Sequence, residues 1–128
     1  MNSIDLNRYD YVFFDLDDTL YPEIEYLSYA YKQISKYVNK KYNIDTQISY
    51  NFLIQSFYLK GRTNLFNRYI SEFNIEQKDL MQFLKILRTL TMKNKISLFF
   101  QMEEILNTLT DKRKFIILMV ILISKEIN

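Results

Sequence analysis

Two aspartates, Asp15 and Asp17, stand two residues apart directly after a short run of aromatic and β-branched residues. That run, residues 11–14, predicts a buried strand that ends near Leu16 and opens into an acidic loop. Beyond the strand, both carboxylates can face one site, with backbone N–H groups of the turn between them. Such a site suits a phosphoryl group: one carboxylate attacks phosphorus, the other protonates the leaving oxygen, and Mg²⁺ neutralises the charge between them. A polar turn that caps the next helix is the alternative role for this loop.

The composition removes most other chemistries. The chain has 128 residues with no Cys and no His, which excludes thiol chemistry, disulfides, Cys/His zinc sites and imidazole catalysis. With a single glycine, it cannot build the Gly-rich phosphate loops of ATP- and NAD-binding folds. An apolar fraction of 48% and a charged fraction of 25% are typical of one globular domain. The net charge of +2 predicts no strong attraction to nucleic acid or to an anionic membrane.

Helices are predicted through the middle of the chain. The first covers residues 22–41, where proline and acidic residues mark the start. Its apolar positions recur at steps of three or four: Ile24, Leu27, Tyr31, Ile34 and Val38. Further helices are expected over residues 47–59, ending at a Gly61 cap, from Asn64 onward, and over residues 76–92. The apolar face of the last consists of Leu80, Phe83, Leu84, Leu87 and Thr91.

A second strand is predicted near the end of the chain. Residues 96–100 are expected to be extended, and a short helix with apolar positions Met102, Ile105, Leu106 and Leu109 follows. The basic triplet at 112–114 then leads into an apolar, strand-like run. Strand, helices and strand in this order predict an α/β layout with a right-handed crossover. The acidic loop would lie at the carboxyl edge of the sheet, where such folds bind ligands.

Residues 14–21, FDLDDTLY, resemble motif I, D-x-D-x-T, of the haloacid dehalogenase-like (HAD) hydrolase superfamily. The resemblance implies a Mg²⁺-dependent phosphatase acting on a small phosphomonoester. Asp15 would be the nucleophile that forms an aspartyl-phosphate, and Asp17 the general acid and base. Mg²⁺ would be held by the Asp15 side chain and the Asp17 backbone carbonyl. Leu16 and Thr19 would contribute to substrate binding, and Thr19 would also help to fix the loop.

The same resemblance implies an architecture. The fold class is α/β, an incomplete HAD-like Rossmannoid core of strand one and strand two with an inserted, mainly helical cap. The first core strand and the motif I loop would occupy residues 1–21, and the helical cap residues 22–94. Residues 95–128 would supply a partial core helix, the second strand and an aberrant tail. An ordinary helical core is the alternative for the cap segment.

The residues after Ile117 depart from the family pattern. No segment there matches motif II, the lysine of motif III or the acidic pair of motif IV. In the frame one base earlier, the codons for Met119 and Val120 must encode glycine, and AT-rich codons for Ile117 and Leu118 complete Thr-Asn-Gly, as in motif II. We therefore expect a frameshifted tail from about Leu118 on a truncated, inactive HAD protein. The nucleotide sequence past codon 118 tests this.

Two other functions remain open at the level of sequence. A helical protein-interaction module would use tyrosines of the first long helix as contact residues: Tyr26, Tyr29, Tyr31 and Tyr37. Membrane association would use the apolar residues 115–123, a run well short of the roughly 20 residues of a bilayer span. Residues 1–8 show no targeting pattern, so a cytoplasmic location is expected. The expected partner is a small phosphorylated substrate, with neither nucleic acid nor membrane.

Overall fold

The computed structural model describes residues 8–92 and 97–109, and the backbone of residues 113–117. The protein is mainly helical in this part. The chain divides into two compact units, a strand unit of Met1–Glu23 with Ile96–Asn128 and a helical unit of Ile24–Lys95. The expected tail from Leu118, the segment before Arg8 and the expected boundary at residue 94 lie outside the described residues.

The elements of the described part follow one another as strand, five α-helices and strand. In chain order they are β1 (Tyr11–Asp15), α1 (Glu23–Tyr42), α2 (Thr46–Lys60), α3 (Leu65–Glu72), α4 (Leu80–Thr89), α5 (Phe100–Thr108) and β2 (Arg113–Ile117). A 3₁₀ turn, Gln77–Asp79, leads into α4. None of the helices in these described ranges has the length and hydropathy needed to cross a membrane.

In the strand unit, β1 and β2 pair in parallel, with Tyr11 opposite Arg113 and Asp15 opposite Ile117. A small core forms where Phe14, Leu20 and Leu109 are buried together. Val12, Leu16 and the apolar side of α5 pack against it: Met102, Ile105 and Leu106. The carboxyl end of β1 is therefore supported by this small core.

In the helical unit, the predicted stripe of α1 forms the core. Ile34 and Val38 are fully buried, and residues of the other three helices meet them: Leu53, Leu65, Tyr69, Ile70 and Phe83. Tyr69 and Phe83 lie with ring centroids 5.6 Å apart at 58°. Sequence signals set the bounds of α2, because the Asp45 carboxylate accepts the Ile48 N–H at its start. At its end, Gly61 takes φ 71° and donates to the Phe57 carbonyl.

Three predictions on local structure need correction. The strand at residues 11–14 is buried on one face only: Phe14 is 8% exposed whereas Phe13 is 59% exposed. In the described part α5 covers the side of Phe14, so alternate residues face away from that core. Residue 100, predicted to be extended, begins α5. The fourth helix, predicted over residues 76–92, covers Leu80–Thr89, because Gln77–Asp79 forms a 3₁₀ turn and Leu90 is extended, with ψ 128°.

Candidate functional site

The two aspartates lie at the carboxyl end of β1. Asp15 is the last residue of the strand, and Asp17 lies in the loop that leads to α1. Both side chains are exposed, so they are accessible to a ligand. Because β2 runs parallel and Ile117 lies opposite Asp15, the carboxyl ends of both strands meet at this edge of the sheet. The loop thus lies at the carboxyl edge of the strand pair, as predicted from the sequence.

Asp15 is held by the predicted loop threonine. The Thr19 hydroxyl donates to Asp15 Oδ2 at 3.2 Å. The backbone of the loop closes on Leu16, whose carbonyl accepts the N–H groups of Thr19 at 3.4 Å and Leu20 at 3.0 Å. Within the described part Asp15 Oδ1 has no hydrogen bond, and the side chain is exposed.

Asp17 has a partner that the sequence did not identify. The Tyr21 hydroxyl donates to Asp17 Oδ1 at 2.7 Å, and the two residues also form an isolated parallel bridge. Burial raises the pKa of Tyr21 above its ordinary value, and the hydrogen bond from Tyr21 to Asp17 raises it further. Tyr21 therefore stays protonated and keeps the Asp17 carboxylate in place. Its spacing of four residues from Asp17 across a tight loop was the only signal in the sequence.

Asp18 takes the role of a helix cap. It adopts a left-handed conformation with φ 54°, which Asp tolerates better than most residues. Its Oδ1 accepts the Glu23 N–H at the start of α1 at 2.9 Å, and its own N–H donates to the Tyr21 carbonyl at 2.9 Å. Asp18 therefore acts as the helix cap that the alternative of a polar turn and cap predicts.

Leu20 also fixes the loop between Asp15 and Tyr21. Leu20 is 3% exposed and packs with Phe14 and Leu109. The Phe99 N–H donates to the Leu20 carbonyl at 2.9 Å, which ties the segment before α5 to the loop. Because both the side chain and the carbonyl of Leu20 are committed, the loop between Asp15 and Tyr21 has little freedom to move.

The oxygen donors suit Mg²⁺ in kind. Among residues 8–92 and 97–109, no group of three or more Asp, Glu, His or Cys side chains is arranged to hold a metal ion. Mg²⁺ does not need such a cage, because it keeps several waters and commonly binds through one or two carboxylates and a substrate phosphate. The exposed Asp15 carboxylate is an oxygen donor of the kind that Mg²⁺ binds.

The tyrosines predicted to be contact residues are mostly committed inside the helical unit. Tyr31 is 2% exposed. Tyr26 donates to the Leu87 carbonyl, and Tyr37 donates to Asp79 Oδ1 at 2.8 Å. Only Tyr29 is partly exposed without a hydrogen bond in the described part. Three of the four residues thus make contacts within the helical unit, although Tyr26 and Tyr37 remain partly exposed.

Comparisons with protein-family models, with curated proteins and with solved structures give no match for this chain. Residue roles at the acidic loop therefore depend on its own contacts and on its resemblance to motif I.

Proposed function

We propose that these residues form the nucleophile half of a HAD-like phosphohydrolase site, which uses Mg²⁺ and a small phosphomonoester and passes through an aspartyl-phosphate. The observation that carries the proposal is the contact between Thr19 and Asp15 at the tip of a parallel strand. A loop that served only as a helix cap would need the Asp18 carboxylate and nothing more.

The two side chains would have different roles in the reaction, Asp15 as the nucleophile and Asp17 as the general acid and base. An oxygen of Asp15 forms a bond to phosphorus while the bond from phosphorus to the leaving oxygen breaks, and the Asp17 carboxyl donates its proton to that oxygen. Asp17 then takes a proton from the water that attacks the aspartyl-phosphate, which releases inorganic phosphate and restores Asp15. When bound, Mg²⁺ supplies positive charge beside the phosphoryl oxygens. Thr19 and Tyr21 act as positioning residues because each donates to one carboxylate.

Charge in the strand unit supports a cation site. Its two segments carry 5 Lys or Arg against 10 Asp or Glu, a formal charge of −5. Such an excess raises the local concentration of divalent cations near an exposed acidic loop. A phosphate ester alone would be repelled, so the cation must bind with it or before it.

The finer architecture belongs to the same proposal. A HAD-like core with an inserted helical cap accounts for a parallel strand pair whose connection is almost entirely helical. On this account the helical unit is the cap. By themselves these 128 residues are expected to turn over little substrate, because none of their segments matches the family's lysine or its second acidic pair. Electrostatic stabilisation is usually the largest catalytic contribution.

The test is a titration of the purified chain with Mg²⁺ and inorganic phosphate, followed by backbone amide NMR. We expect shifts concentrated in residues 15–19 that require both additions. Asp15→Asn should abolish them, since it removes an anionic ligand. Asp10→Asn is the matched control, because Asp10 is also exposed and lies just before β1. It should leave the shifts unchanged.

An assay of p-nitrophenyl phosphate hydrolysis tests the expected inactivity separately from the assignment of the site. We expect no hydrolysis above the rate without protein. Hydrolysis that is lost in Asp15→Asn would show the reaction class to be right and the expected inactivity to be wrong. Amide shifts that are equal in Asp15→Asn and Asp10→Asn would contradict the assignment of the site itself.

A further inference from the structure

The two units carry opposite charge, which the sum over the chain conceals. The helical unit Ile24–Lys95 holds 12 Lys or Arg against 5 Asp or Glu, a formal charge of +7. Five acidic residues cannot neutralise twelve basic ones, so much of this surface is electropositive. A positive excess of this size attracts polyanions.

Three of these twelve basic residues lie on one face of α1. Lys32, Lys36 and Lys40 follow at steps of four, which places them about 6 Å apart along the helix axis on the same side. No acidic residue occurs between Glu25 and Asp45. The face is therefore a continuous positive stripe, here called the lysine stripe.

The ion pairs of the helical unit do not involve the lysine stripe in the part that the structure describes. The described pairs join Lys41 to Asp79 at 2.7 Å and Lys78 to Glu76 at 2.7 Å. In the part of the chain that the structure describes, the three residues of the lysine stripe have no acidic partner. An open concavity of about 510 Å³ adjoins them, lined by Gln33, Lys36, Tyr37, Asn39 and Lys40.

Aromatic rings accompany the stripe. Lys32 lies over the Tyr50 ring, 5.1 Å from its centroid. Tyr29 lies on the same side of α1, three residues before Lys32, and is partly exposed. Proteins that bind single-stranded nucleic acid combine basic side chains, which contact the phosphate backbone, with aromatic side chains, on which the bases stack.

We infer that the lysine stripe on α1, flanked by Tyr29 and Tyr50, binds the phosphate backbone of single-stranded nucleic acid. An anionic membrane fits less well, because the face bearing Lys32, Lys36 and Lys40 carries no aliphatic side chain that could enter a lipid layer. This inference departs from the expectation based on the net charge of the whole chain. It is independent of the phosphoryl chemistry at Asp15.

The test measures binding of the full chain to a fluorescent single-stranded RNA of mixed sequence, by anisotropy over a range of salt concentrations. The variant is Lys32→Gln/Lys36→Gln/Lys40→Gln. Lys36 and Lys40 are exposed and Lys32 is half-buried, so the fold of the variant is checked by circular dichroism. We expect affinity to fall about tenfold or more at low salt. The slope of log affinity against log salt should become shallower by about 2, from roughly 0.7 for each of three phosphate contacts.

The matched control removes the same charge elsewhere in the helical unit, as Lys60→Gln/Lys85→Gln/Arg88→Gln, all at exposed positions. It should weaken binding by less than about threefold, since general attraction alone is reduced. Tyr29→Leu should weaken binding of the single strand about tenfold and leave duplex binding unchanged.

Four results would overturn the inference. The first is that the unmodified chain does not bind RNA at low salt, and the second is that the two triple variants lose equal affinity. The third is that the chain binds duplex as tightly as single strand. The fourth is that it binds phosphatidylserine vesicles more tightly than RNA. The second result would assign the attraction to net charge alone, and the fourth would assign the stripe to a membrane surface.

Discussion

The buried carboxylate of Asp79 provides the sharpest test of how the helical unit is held together. Asp79 is 3% exposed, yet it accepts hydrogen bonds from Tyr37 at 2.8 Å, from Lys41 at 2.7 Å and from Tyr42. These donors all lie on α1, whereas Asp79 ends the turn before α4. The single carboxylate thus joins two elements that are distant in sequence. We expect Asp79→Asn to loosen that junction.

The magnitude follows from the protonation of Asp79. Burial raises the pKa of this carboxyl, but the hydrogen bonds from Lys41, Tyr42 and Tyr37 outweigh it and hold the pKa at about 2. A depression of almost two pKa units corresponds to roughly 2–3 kcal/mol of stability. The Lys41 side chain is 35% exposed, so water screens part of its charge and the lower end, about 2 kcal/mol, applies.

Because the pKa of Asp79 is lowered on folding, the pH range in which this carboxylate stabilises the protein can be predicted. A carboxyl whose folded-state pKa is lowered stabilises the protein above its unfolded pKa, and this contribution is lost as pH falls through the folded value. The loss of stability caused by Asp79→Asn should therefore be full at pH 7 and pH 5. It should shrink below about pH 4 and nearly vanish by about pH 2.

Urea unfolding monitored by circular dichroism at pH 7, 5, 3 and 2 measures this difference. Asp45→Asn serves as the control, because Asp45 caps α2 at an exposed position and Asn caps helices about as well as Asp. Its effect should stay within about 0.5 kcal/mol at every pH. A cost of Asp79→Asn that is unchanged from pH 7 to pH 2 would refute the argument, since it would show that ionisation of Asp79 contributes nothing.

Three further changes test the packing of the helical unit by the same urea assay. Phe83→Ala should cost about 3–5 kcal/mol, because Phe83 is fully buried against aromatic rings, and a loss below about 1 kcal/mol would contradict its place in the core. Tyr69→Phe should be neutral or stabilising, because the buried hydroxyls of Tyr69 and Ser35 lack hydrogen bonds of ordinary geometry; a large loss would reveal a bond at Tyr69. Gly61→Ala should cost about 1–3 kcal/mol, because φ 71° and ψ −168° lie in a region that only glycine adopts readily, and no loss would mean that the cap relaxes freely.

Local patterns in the sequence predict most of the helical structure. The stripe from Leu27 to Val38 is buried as its spacing predicts. Asp45 and Gly61 bound α2, since caps depend on residues close in sequence. The end of α4 was harder to place, because apolar spacing continues to residue 91 and only the extended backbone at Leu90 ends the helix.

Contacts between distant residues were not predictable. Asp79 is an ordinary acidic residue in the sequence, and its donors lie 37 to 42 positions earlier. In the sequence alone the tyrosines of α1 could serve as contact residues, yet the partners of Tyr26 and Tyr37 come from α4 and the turn before it. At the acidic loop, the resemblance to motif I implied that Thr19 helps to fix the loop, but the donation from Tyr21 to Asp17 depends on how tightly the loop closes.

The most direct test of the central proposal is the binding of beryllofluoride, a tetrahedral mimic of a phosphoryl group bonded to a carboxylate. A ¹⁹F NMR spectrum of the chain with Mg²⁺ should contain a signal from the bound species that disappears with EDTA and is absent in Asp15→Asn. Asp10→Asn should keep it. If the unmodified chain gives no bound signal, or if Asp15→Asn retains the signal, Asp15 does not accept a phosphoryl group and the proposed chemistry is wrong.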